Sequence, residues 1–187
     1  MPANQRVLIV GGVAGGATCA ARLRRLDESA QIVLFDRGPY VSFANCGLPY
    51  YVGAVIKDET KLLVATPELF RKRFNIEVRT QHEVVTIDRE KGEIGVRDLI
   101  SGRDYSERYD RLVLSPGAAP IRPSFPGIDL PGIFTLRTVP DSRKIREWIE
   151  SQSARRAVVI GGGFIGLEMT GTSRKSNNVI SLTVMGE

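Results

Sequence analysis

Cysteine and histidine are scarce in this chain, which has two Cys and one His among 187 residues. Two cysteines are too few for a disulfide scaffold, and neither has the paired spacing of a zinc site, so we expect no metal. No apolar run approaches the roughly 18 residues of a membrane span, and the start lacks the basic region and cleavage site of a signal peptide. We therefore expect a cytoplasmic protein without membrane contact.

Aromatic residues are also few, at 7%, and they are not interleaved with Lys and Arg. The net charge of +5 suits either nucleic acid or a small anionic ligand such as a nucleotide. No nucleic-acid motif accompanies the charge, so we expect no nucleic-acid partner. A phosphate-rich cofactor accounts for the charge equally well.

Strand and helix patterns alternate at the start of the chain. A β-branched run at Arg6–Val10 ends in glycines, a helix pattern covers Ala14–Arg25, and a second apolar run spans Gln31–Phe35. This order predicts a βαβ unit with a parallel strand pair. We expect Cys19 to pack in the core. Three arginines of the helix are expected to face largely outward: Arg22, Arg24 and Arg25.

Later segments predict further elements. Thr66-Pro67-Glu68 has the cap, proline and acid that are typical of a helix start. From Ile76 to Ser115 the pattern alternates between turn signals, which predicts an antiparallel meander that ends in a buried strand at Arg111–Leu114. The segments after the meander are a linker at 118–132, a helix at Asp141–Ser151 and a strand at Ala157–Ile160.

A G-x-G-x-x-G motif formed by Gly161, Gly163 and Gly166 directly follows the last of these strands. In this motif the first glycine allows a tight turn, the second admits a pyrophosphate and the third lets helix and strand pack closely. The phosphates then lie at a helix N-terminus, where free N–H groups favour negative charge. The motif therefore predicts a dinucleotide site.

The first glycine turn is an imperfect copy, because Val13 stands where the middle glycine would be. Asp36 lies 20 residues after Gly16, where a carboxylate accepts hydrogen bonds from an adenosine ribose. The alternative is a tight turn followed by a surface Asp. We favour nucleotide binding, with these contact residues: Gly11, Gly12, Val13, Ala14, Gly15, Gly16 and Asp36.

Cys46 lies in a loop that runs into a predicted helix. If Gly47 opens that helix, the sulfur lies at its N-terminus, where the thiolate, the nucleophile of disulfide exchange, is favoured. Ser42 and Asn45 are placed to hydrogen-bond a ligand or the sulfur. A small buried residue in a loop explains Cys46 equally well, so the residues alone leave both interpretations open.

A resemblance decides between them. The string Ser42-Phe43-Ala44-Asn45-Cys46-Gly47-Leu48-Pro49-Tyr50, after a glycine-rich βαβ unit, resembles the pyridine nucleotide-disulfide oxidoreductases. It is most similar to their single-cysteine branch: coenzyme A-disulfide reductases, NADH-dependent persulfide or polysulfide reductases, and NADH oxidases. The dithiol branch has C-x-x-x-x-C, and Tyr51 stands at the second cysteine position here. The resemblance covers residues 5–169.

The resemblance implies an α/β fold. It comprises a Rossmann-like FAD-binding βαβ unit with a parallel sheet and an antiparallel β-meander, followed by the start of a second Rossmann-like NAD(P)-binding unit. We expect the FAD-binding domain at 1–120, and the crossover with the incomplete NAD(P)-binding domain at 121–187.

It also implies an oxidoreductase, a flavoprotein with FAD and NAD(P)H as cofactors and Cys46 as redox-active centre. Such an enzyme reduces coenzyme A disulfide, a persulfide or a polysulfide. NADH oxidase or peroxidase chemistry, with Cys46 cycling through sulfenic acid, is the alternative within enzymes. An inactive nucleotide-binding fragment is the alternative outside them.

The resemblance implies further ligand contacts. In coenzyme A-type enzymes a ligand lysine falls at Phe74 here, and Arg71, Lys72 and Arg73 adjoin it. Arg22 and Arg25 lie one turn apart on a helix and can meet phosphates together, although a solvated basic face explains them too. Additional FAD contacts are Arg37, Val84 through its backbone, Ser115 and Gly117. The implied substrate contacts are Thr18, Arg22, Arg25, Ser42 and Asn45.

The resemblance stops after Met169. The following Thr170–Asn178 has poor helix propensity and no apolar stripe, so we expect a damaged crossover helix, then a strand at Val179–Val184 and Glu187 near a ribose position. A frameshifted or truncated gene is one explanation. Intact family members are homodimers through a C-terminal domain, so a dimer of this chain is doubtful. We expect the isolated chain to bind FAD weakly and to turn over slowly or not at all.

Overall fold

The computed structural model describes residues 4–174 and 179–183 of the chain. The chain divides into two compact units, each of which holds one strand–glycine–helix opening. The domain division at 1–120 and 121–187 stays a prediction. The first unit comprises Met1–Phe43 and Leu63–Ala118, and the second comprises Ala44–Leu62 and Ala119–Glu187.

Nine strands are present in these described residues, in a four-stranded parallel sheet, a three-stranded antiparallel sheet and a parallel pair. The predicted α/β fold is therefore confirmed. The strands are β1 (Arg6–Val10), β2 (Gln31–Asp36), β3 (Glu77–Thr80), β4 (His82–Asp88), β5 (Glu93–Asp98), β6 (Asp104–Arg108), β7 (Arg111–Leu114), β8 (Arg156–Ile160) and β9 (Val179–Thr183).

Five α-helices occur in the same described part of the chain, with 3₁₀ turns at Asn45–Gly47 and Glu59–Leu62. The helix start predicted at Thr66-Pro67-Glu68 is confirmed, because the helix begins at Pro67 and the hydroxyl of its N-cap residue Thr66 accepts from the Leu69 N–H. The helices are α1 (Gly15–Leu26), α2 (Leu48–Val52), α3 (Pro67–Phe74), α4 (Val139–Ser151) and α5 (Phe164–Arg174).

The parallel sheet of the first unit has the order β3-β2-β1-β7 and is covered on both faces. Successive side chains of a strand point to opposite faces, so β1 and β2 contribute to two cores. One core packs against α1 and α3, and the other packs against the sheet of β4, β5 and β6. The first core takes Val7, Ile9, Ile32 and Leu34, and the second takes Leu8, Val33 and Phe35.

Two strands of this unit differ from their prediction. β3 falls in the stretch predicted as antiparallel, yet it pairs parallel with β2, with Val33 opposite Glu77. Gln81, at φ 58, turns the chain before β4, so the antiparallel meander begins only there. β7 was predicted to be buried, but it is the last strand in the sheet order and Arg111 and Leu114 are exposed.

Arg24 corrects the prediction that three arginines of α1 face outward, because it is only 9% exposed. Its guanidinium donates to backbone carbonyls at the C-terminal ends of two helices, where the helix dipole favours a cation. Arg24 therefore joins the ends of α1 and α3, whereas Arg22 and Arg25 are exposed as predicted. The five accepting carbonyls are those of Asp27, Glu28, Ala30, Phe74 and Asn75.

The second unit contains the parallel pair of β8 and β9, connected through α5, with Arg156 opposite Val179. α4 begins with a capping box in which Thr138 and Asp141 exchange hydrogen bonds. The short α2 packs against both α4 and α5. The strand–helix–strand order agrees with the start of a second nucleotide-binding unit.

α5 continues to Arg174, although the sequence from Thr170 onward predicted no helix. The hydroxyls of Thr170 and Thr172 donate to the carbonyl oxygens of Gly166 at 2.9 Å and Glu168 at 2.8 Å, one turn earlier. Both bonds lie within the helix, and the Thr172 hydroxyl also lies 3.1 Å from the carbonyl oxygen of Pro49 in α2. The expected damage to the crossover helix is thus wrong as far as Arg174.

Other segments agree with their predictions within a few residues. No helix or strand lies in residues 118–132, and α4 begins at Val139, two residues before the predicted start. The predicted strand at Val179–Val184 is confirmed as far as Thr183. Val184 and Glu187, with its predicted ribose position, lie outside the described residues.

Candidate functional site

The first glycine turn lies at the end of β1, next to the end of β7. The Gly11 N–H donates to the carbonyl of Phe35 at 2.8 Å, and the Ser115 N–H donates to Val10 at 2.7 Å. Gly11 has φ +93, and a Cβ there would overlap the carbonyl oxygen of Ser115. A Cβ at Gly16 would likewise overlap the carbonyl oxygen of Gly11. Only glycine fits at both positions, so the turn brings α1 directly onto the strand.

The N-terminal end of α1 is open to an anion. Its N-cap residue, Ala14, makes no side-chain capping bond, and its first turn contains no acidic residue. The first N–H groups of a helix have no partner within the helix, and the helix dipole adds a partial positive charge. Ala14 and Gly15 are exposed, so the start of the helix is accessible from solvent. This geometry suits a phosphate group.

Asp36 supports the glycine turn from the end of β2. Its two carboxylate oxygens accept the N–H groups of Gly12 and Gly38, each at 2.7 Å. Burial raises the pKa of Asp36, and the two backbone hydrogen bonds oppose this shift. The carboxylate is therefore no simple surface group. It is tied to the turn that it was predicted to serve, and each oxygen keeps a second lone pair for a ligand hydroxyl.

The additional residues predicted for FAD fall in two groups within the first unit. Ser115 adjoins the glycine turn, since a Cβ at Gly15 would stand 3.0 Å from its hydroxyl, and Gly117 follows with φ +71. Arg37 is exposed, and its Nη1 lies 3.9 Å from the Oε1 of Glu83. Glu83 immediately precedes the half-buried Val84, so the side chain of Arg37 reaches the residue next to Val84.

The second glycine turn repeats the geometry of the first. Gly161 has φ +123, and a Cβ at Gly166 would overlap the carbonyl oxygen of Gly161. A Cβ at Gly163 would meet no atom within 4 Å. The fold therefore requires Gly161 and Gly166, while the open space at Gly163 is available to a ligand.

Cys46 lies in the 3₁₀ turn Asn45–Gly47, directly before α2. Its thiol is free and exposed, whereas Cys19 is half-buried against the core of the first unit, as predicted. Gly47 is buried at the start of α2, and a Cβ there would stand 2.8 Å from Leu62. The Cys46 residue is therefore exposed, while the adjacent Gly47 is closely packed against Leu62.

Ser42 belongs to the first unit and Asn45 to the second. Ser42 has φ 46, and its backbone donates to Gly12 and accepts from Val64, at 2.8 and 2.7 Å. Asn45 has a buried Oδ1 with no hydrogen-bond partner. A buried polar atom without a partner is costly and is typical of a ligand contact.

The predicted substrate residues of α1 form one exposed stripe. Thr18, Arg22 and Arg25 are all exposed and follow at the spacing of successive helix turns. The Nε of Arg25 donates to the carbonyl of Ala21 at 3.1 Å. Phe74, at the family's lysine position, is half-buried and packs against the core, and the Arg73 guanidinium lies over its ring at 5.7 Å.

Several contacts within the second unit hold the segment Ala44–Leu62, which carries Cys46, and the sequence did not predict them. The Arg146 guanidinium lies 4.7 Å from the ring centre of Tyr51 and donates to the carbonyl of Lys57 at 3.2 Å. Arg143 forms a two-pronged ion pair with Glu59, at 2.8 and 2.5 Å. The two hydrogen-bonded pairs, Arg143 with Glu59 and Arg146 with Lys57, lie 84 and 89 positions apart in the chain, so no local pattern indicates them.

The family model described as pyridine nucleotide-disulphide oxidoreductase matches residues 5–185. The chain belongs to this family. The resemblance drawn from the residues around Cys46 is therefore confirmed, although the match extends past Met169, where the resemblance was expected to stop.

Individual members of the pyridine nucleotide-disulphide oxidoreductases are also similar to this chain. A coenzyme A disulfide reductase of Staphylococcus epidermidis is 43% identical over 164 residues, which are 88% of this chain and 37% of that protein. The structure of reduced Bacillus anthracis CoADR-RHD has 49% identity and a TM-score of 0.96, covering 98% of this chain and 33% of that one. A NAD-dependent persulfide reductase from A. fulgidus has 36% identity and a TM-score of 0.89, covering 95% and 33%.

The chain thus spans about 37% of the length of the curated relatives it matches. In the described part, no helix has both the length and the apolar character of a membrane span. Residues 4–174 and 179–183 also hold no cluster of three or more His, Cys, Asp or Glu side chains suited to a metal ion.

Proposed function

We propose that this chain serves a FAD-dependent NAD(P)H:disulfide oxidoreductase that reduces coenzyme A disulfide, a persulfide or a polysulfide through Cys46. The observation that carries the proposal is the free, exposed Cys46 thiol. Its neighbour Asn45 holds a buried oxygen without a partner, which a bound ligand would satisfy. The relatives named above reduce coenzyme A disulfide and persulfides, and their names support the substrate class.

The residues of the first glycine turn fit the diphosphate of FAD. The uncapped start of α1 offers N–H donors, and Gly11 and Gly16 allow the close approach of strand and helix that places those donors at the turn. Asp36 would accept from the ribose hydroxyls, and the backbone of Val84 would meet the adenine. When bound, FAD supplies the transfer of two electrons from NAD(P)H to sulfur. The second turn, at Gly161 and Gly163, would hold the NAD(P)H phosphates.

Cys46 would act as the nucleophile in disulfide exchange. Its thiolate attacks one sulfur of the substrate disulfide, the substrate S–S bond breaks, and one thiolate leaves. The product is a mixed disulfide between Cys46 and the other half of the substrate. Two electrons that originate in NAD(P)H would break this bond with uptake of protons, which regenerates the Cys46 thiol and releases the second half as a thiol. Asn45 would hold the substrate through the oxygen that lacks a partner. A persulfide reacts in the same way through its S–S bond.

The exposed stripe on α1 supports coenzyme A as part of the substrate. Arg22 and Arg25 can bind phosphate oxygens with two parallel hydrogen bonds each, and Thr18 adds a hydroxyl. Phe74 lacks the cation that the family has at this position. Arg73, whose guanidinium lies over the Phe74 ring, supplies a positive charge beside it. We place the reaction in the cytoplasm, where thiols stay reduced.

The experiment is exchange between the reduced chain and coenzyme A disulfide. We expect one equivalent of coenzyme A to be released per chain and a coenzyme A adduct at Cys46 by peptide mass spectrometry. Cys46→Ser should abolish both signals, and Cys19→Ser should keep both. A flavin absorbance band after reconstitution with FAD tests the cofactor separately. Release that persists in Cys46→Ser would refute the proposal, and a Cys46 that forms no adduct but is oxidised to sulfenic acid by added hydrogen peroxide would favour the oxidase or peroxidase alternative.

A further inference from the structure

α5 packs against α2 through a buried threonine that the proposed function does not use. Thr172 is 5% exposed, and its hydroxyl lies 3.1 Å from the carbonyl oxygen of Pro49. The same hydroxyl lies 2.8 Å from the carbonyl of Glu168 in its own helix. A hydroxyl has one proton, so it donates to α2 or to α5 at a given moment.

The other side of this contact is Gly53, which ends α2. A Cβ at Gly53 would stand 2.6 Å from the Cβ of Thr172 and 2.8 Å from its hydroxyl oxygen. The backbone of α2 therefore touches Thr172 directly, with no side chain between them. So close a contact leaves little freedom for one helix to slide along the other.

The two helices connect the proposed nucleotide turn to the thiol within the second unit. α5 begins at Phe164, inside the glycine turn of Gly161 and Gly166, and reaches Thr172 after about 12 Å of helix. Pro49 lies three residues after Cys46, and the intervening Gly47 is the N-cap of α2. A displacement of α5 along its axis would therefore reach the turn that carries the thiol.

We infer that Thr172 is a positioning residue that couples nucleotide binding at the Gly161–Gly166 turn to the reactivity of Cys46. The inference rests on the proposed function for the identity of both sites. Thr172 touches neither ligand, and it acts by fixing α2 on α5. Binding of the nicotinamide nucleotide changes the position of α5, and the contact of Thr172 with Pro49 and Gly53 transmits that change to the Cys46 turn.

The test is the rate of Cys46 alkylation by iodoacetamide, with and without saturating NADH. Peptide mass spectrometry reads Cys46 and Cys19 separately in the same chain. Thr172→Val keeps the shape and removes the hydroxyl, and Thr172→Ser keeps the hydroxyl. The matched control is Thr170→Val, which also removes a hydroxyl from α5, at a position bonded only within that helix.

In the wild type we expect NADH to change the Cys46 rate by about 5-fold or more, the lower range of coupling between sites. Thr170→Val and Thr172→Ser should keep this response, and Thr172→Val should lose it while binding NADH as judged by nicotinamide fluorescence. The rate at Cys19 serves as an internal reference. An undiminished response in Thr172→Val, or no response in a wild type that binds NADH, would overturn the inference.

Fluorescence of Trp148, the single tryptophan of the chain, reports whether the second unit is folded in each variant. If Thr172→Val does not fold, Gly53→Ala takes its place, because it adds a methyl group against Thr172 and leaves the hydroxyl intact. A normal NADH response in folded Gly53→Ala would then overturn the inference.

A wrong assignment of the nucleotide site in the proposed function would give a different experimental result from a wrong role for Thr172. If the wild type binds no NADH, the nucleotide site of that proposal is wrong. The positioning role is then decided by the Cys46 rate without nucleotide, where Thr172→Val should differ from Thr172→Ser by about 3-fold or more. Equal rates would overturn it.

Discussion

Gly16 lies so close to Gly11 that a Cβ at position 16 would overlap the carbonyl oxygen of Gly11. Gly166 and Gly161 have the same relationship in the second unit. In both turns the close approach lets a helix begin directly at the end of a strand, with its first N–H groups open to phosphate. The first turn keeps this geometry although Val13 replaces the middle glycine, because the middle position contributes room for the ligand and not the turn itself.

This geometry separates the role of Gly166 from that of Gly163. Gly166→Ala should destabilise the second unit by about 2 kcal/mol or more, because the added methyl has no space beside Gly161. Gly163→Ala should leave stability within about 0.5 kcal/mol and weaken NADH binding about 10-fold, since its Cβ would occupy only the ligand's space. Urea unfolding and NADH titration measure the two effects. Equal losses of stability in the two variants would contradict this assignment.

Arg24 should dominate the stability of the first unit. Arg24→Met removes a buried guanidinium and leaves five backbone carbonyls short of a donor. We expect a loss of about 3 kcal/mol or more in the free energy of unfolding. The control is Arg25→Met on the same helix, which is exposed and should cost less than about 1 kcal/mol. Chemical denaturation followed by circular dichroism compares them, and similar losses would count against this role for Arg24.

The sequence predicts what local patterns determine. The apolar runs at Arg6–Val10 and Gln31–Phe35 predict β1 and β2, because strands buried on both faces need apolar residues throughout. The position of Asp36 follows from the strand end, and the exposure of Cys46 agrees with a nucleophile. Each of these features depends on neighbours within about one element, which is the range of such patterns.

Features that depend on distant partners could not be predicted in this way. Arg24 resembles Arg22 in the sequence, and two of the carbonyls that accept from its guanidinium, those of Phe74 and Asn75, lie 50 and 51 positions away. Thr172 has a partner 123 positions away at Pro49, and helix propensity counted it as unfavourable. In both cases tertiary contacts override the local signal, so the sequence alone gives no reason to single them out.

The stability of the first unit should fall as Asp36 ionises. Burial raises the pKa of Asp36 above its ordinary 3.8, so the folded chain holds this proton more tightly than the unfolded chain. The free energy of unfolding therefore decreases as the pH rises from 3.8 through the raised pKa. Over this pH range the wild type should lose stability relative to Asp36→Asn. Urea unfolding at a series of pH values measures the difference.

Asp27 provides a control for which stability is expected to change with pH in the opposite direction. Hydrogen bonds from Ser29 lower the pKa of Asp27, so its contribution is present above 3.8 and is lost as the pH falls through the lowered pKa. The wild type should therefore gain stability relative to Asp27→Asn as the pH rises toward 3.8. For each variant the measured quantity is the stability of the wild type minus that of the variant. If this quantity changes with pH in the same direction for Asp36→Asn and Asp27→Asn, the burial of Asp36 does not control its titration.

The exposed stripe on α1 should bind the phosphates of coenzyme A. In the Arg22→Gln, Arg25→Gln double variant we expect the Kd for coenzyme A to rise about 10-fold, because charge-assisted hydrogen bonds to phosphate are lost. The matched control is Arg108→Gln, an exposed arginine of β6 in the meander, on the sheet face opposite to α1. Calorimetry at two salt concentrations should also show weaker salt dependence in the double variant. If the double variant and Arg108→Gln lose the same affinity, the charge of the whole unit, and not this stripe, attracts the ligand.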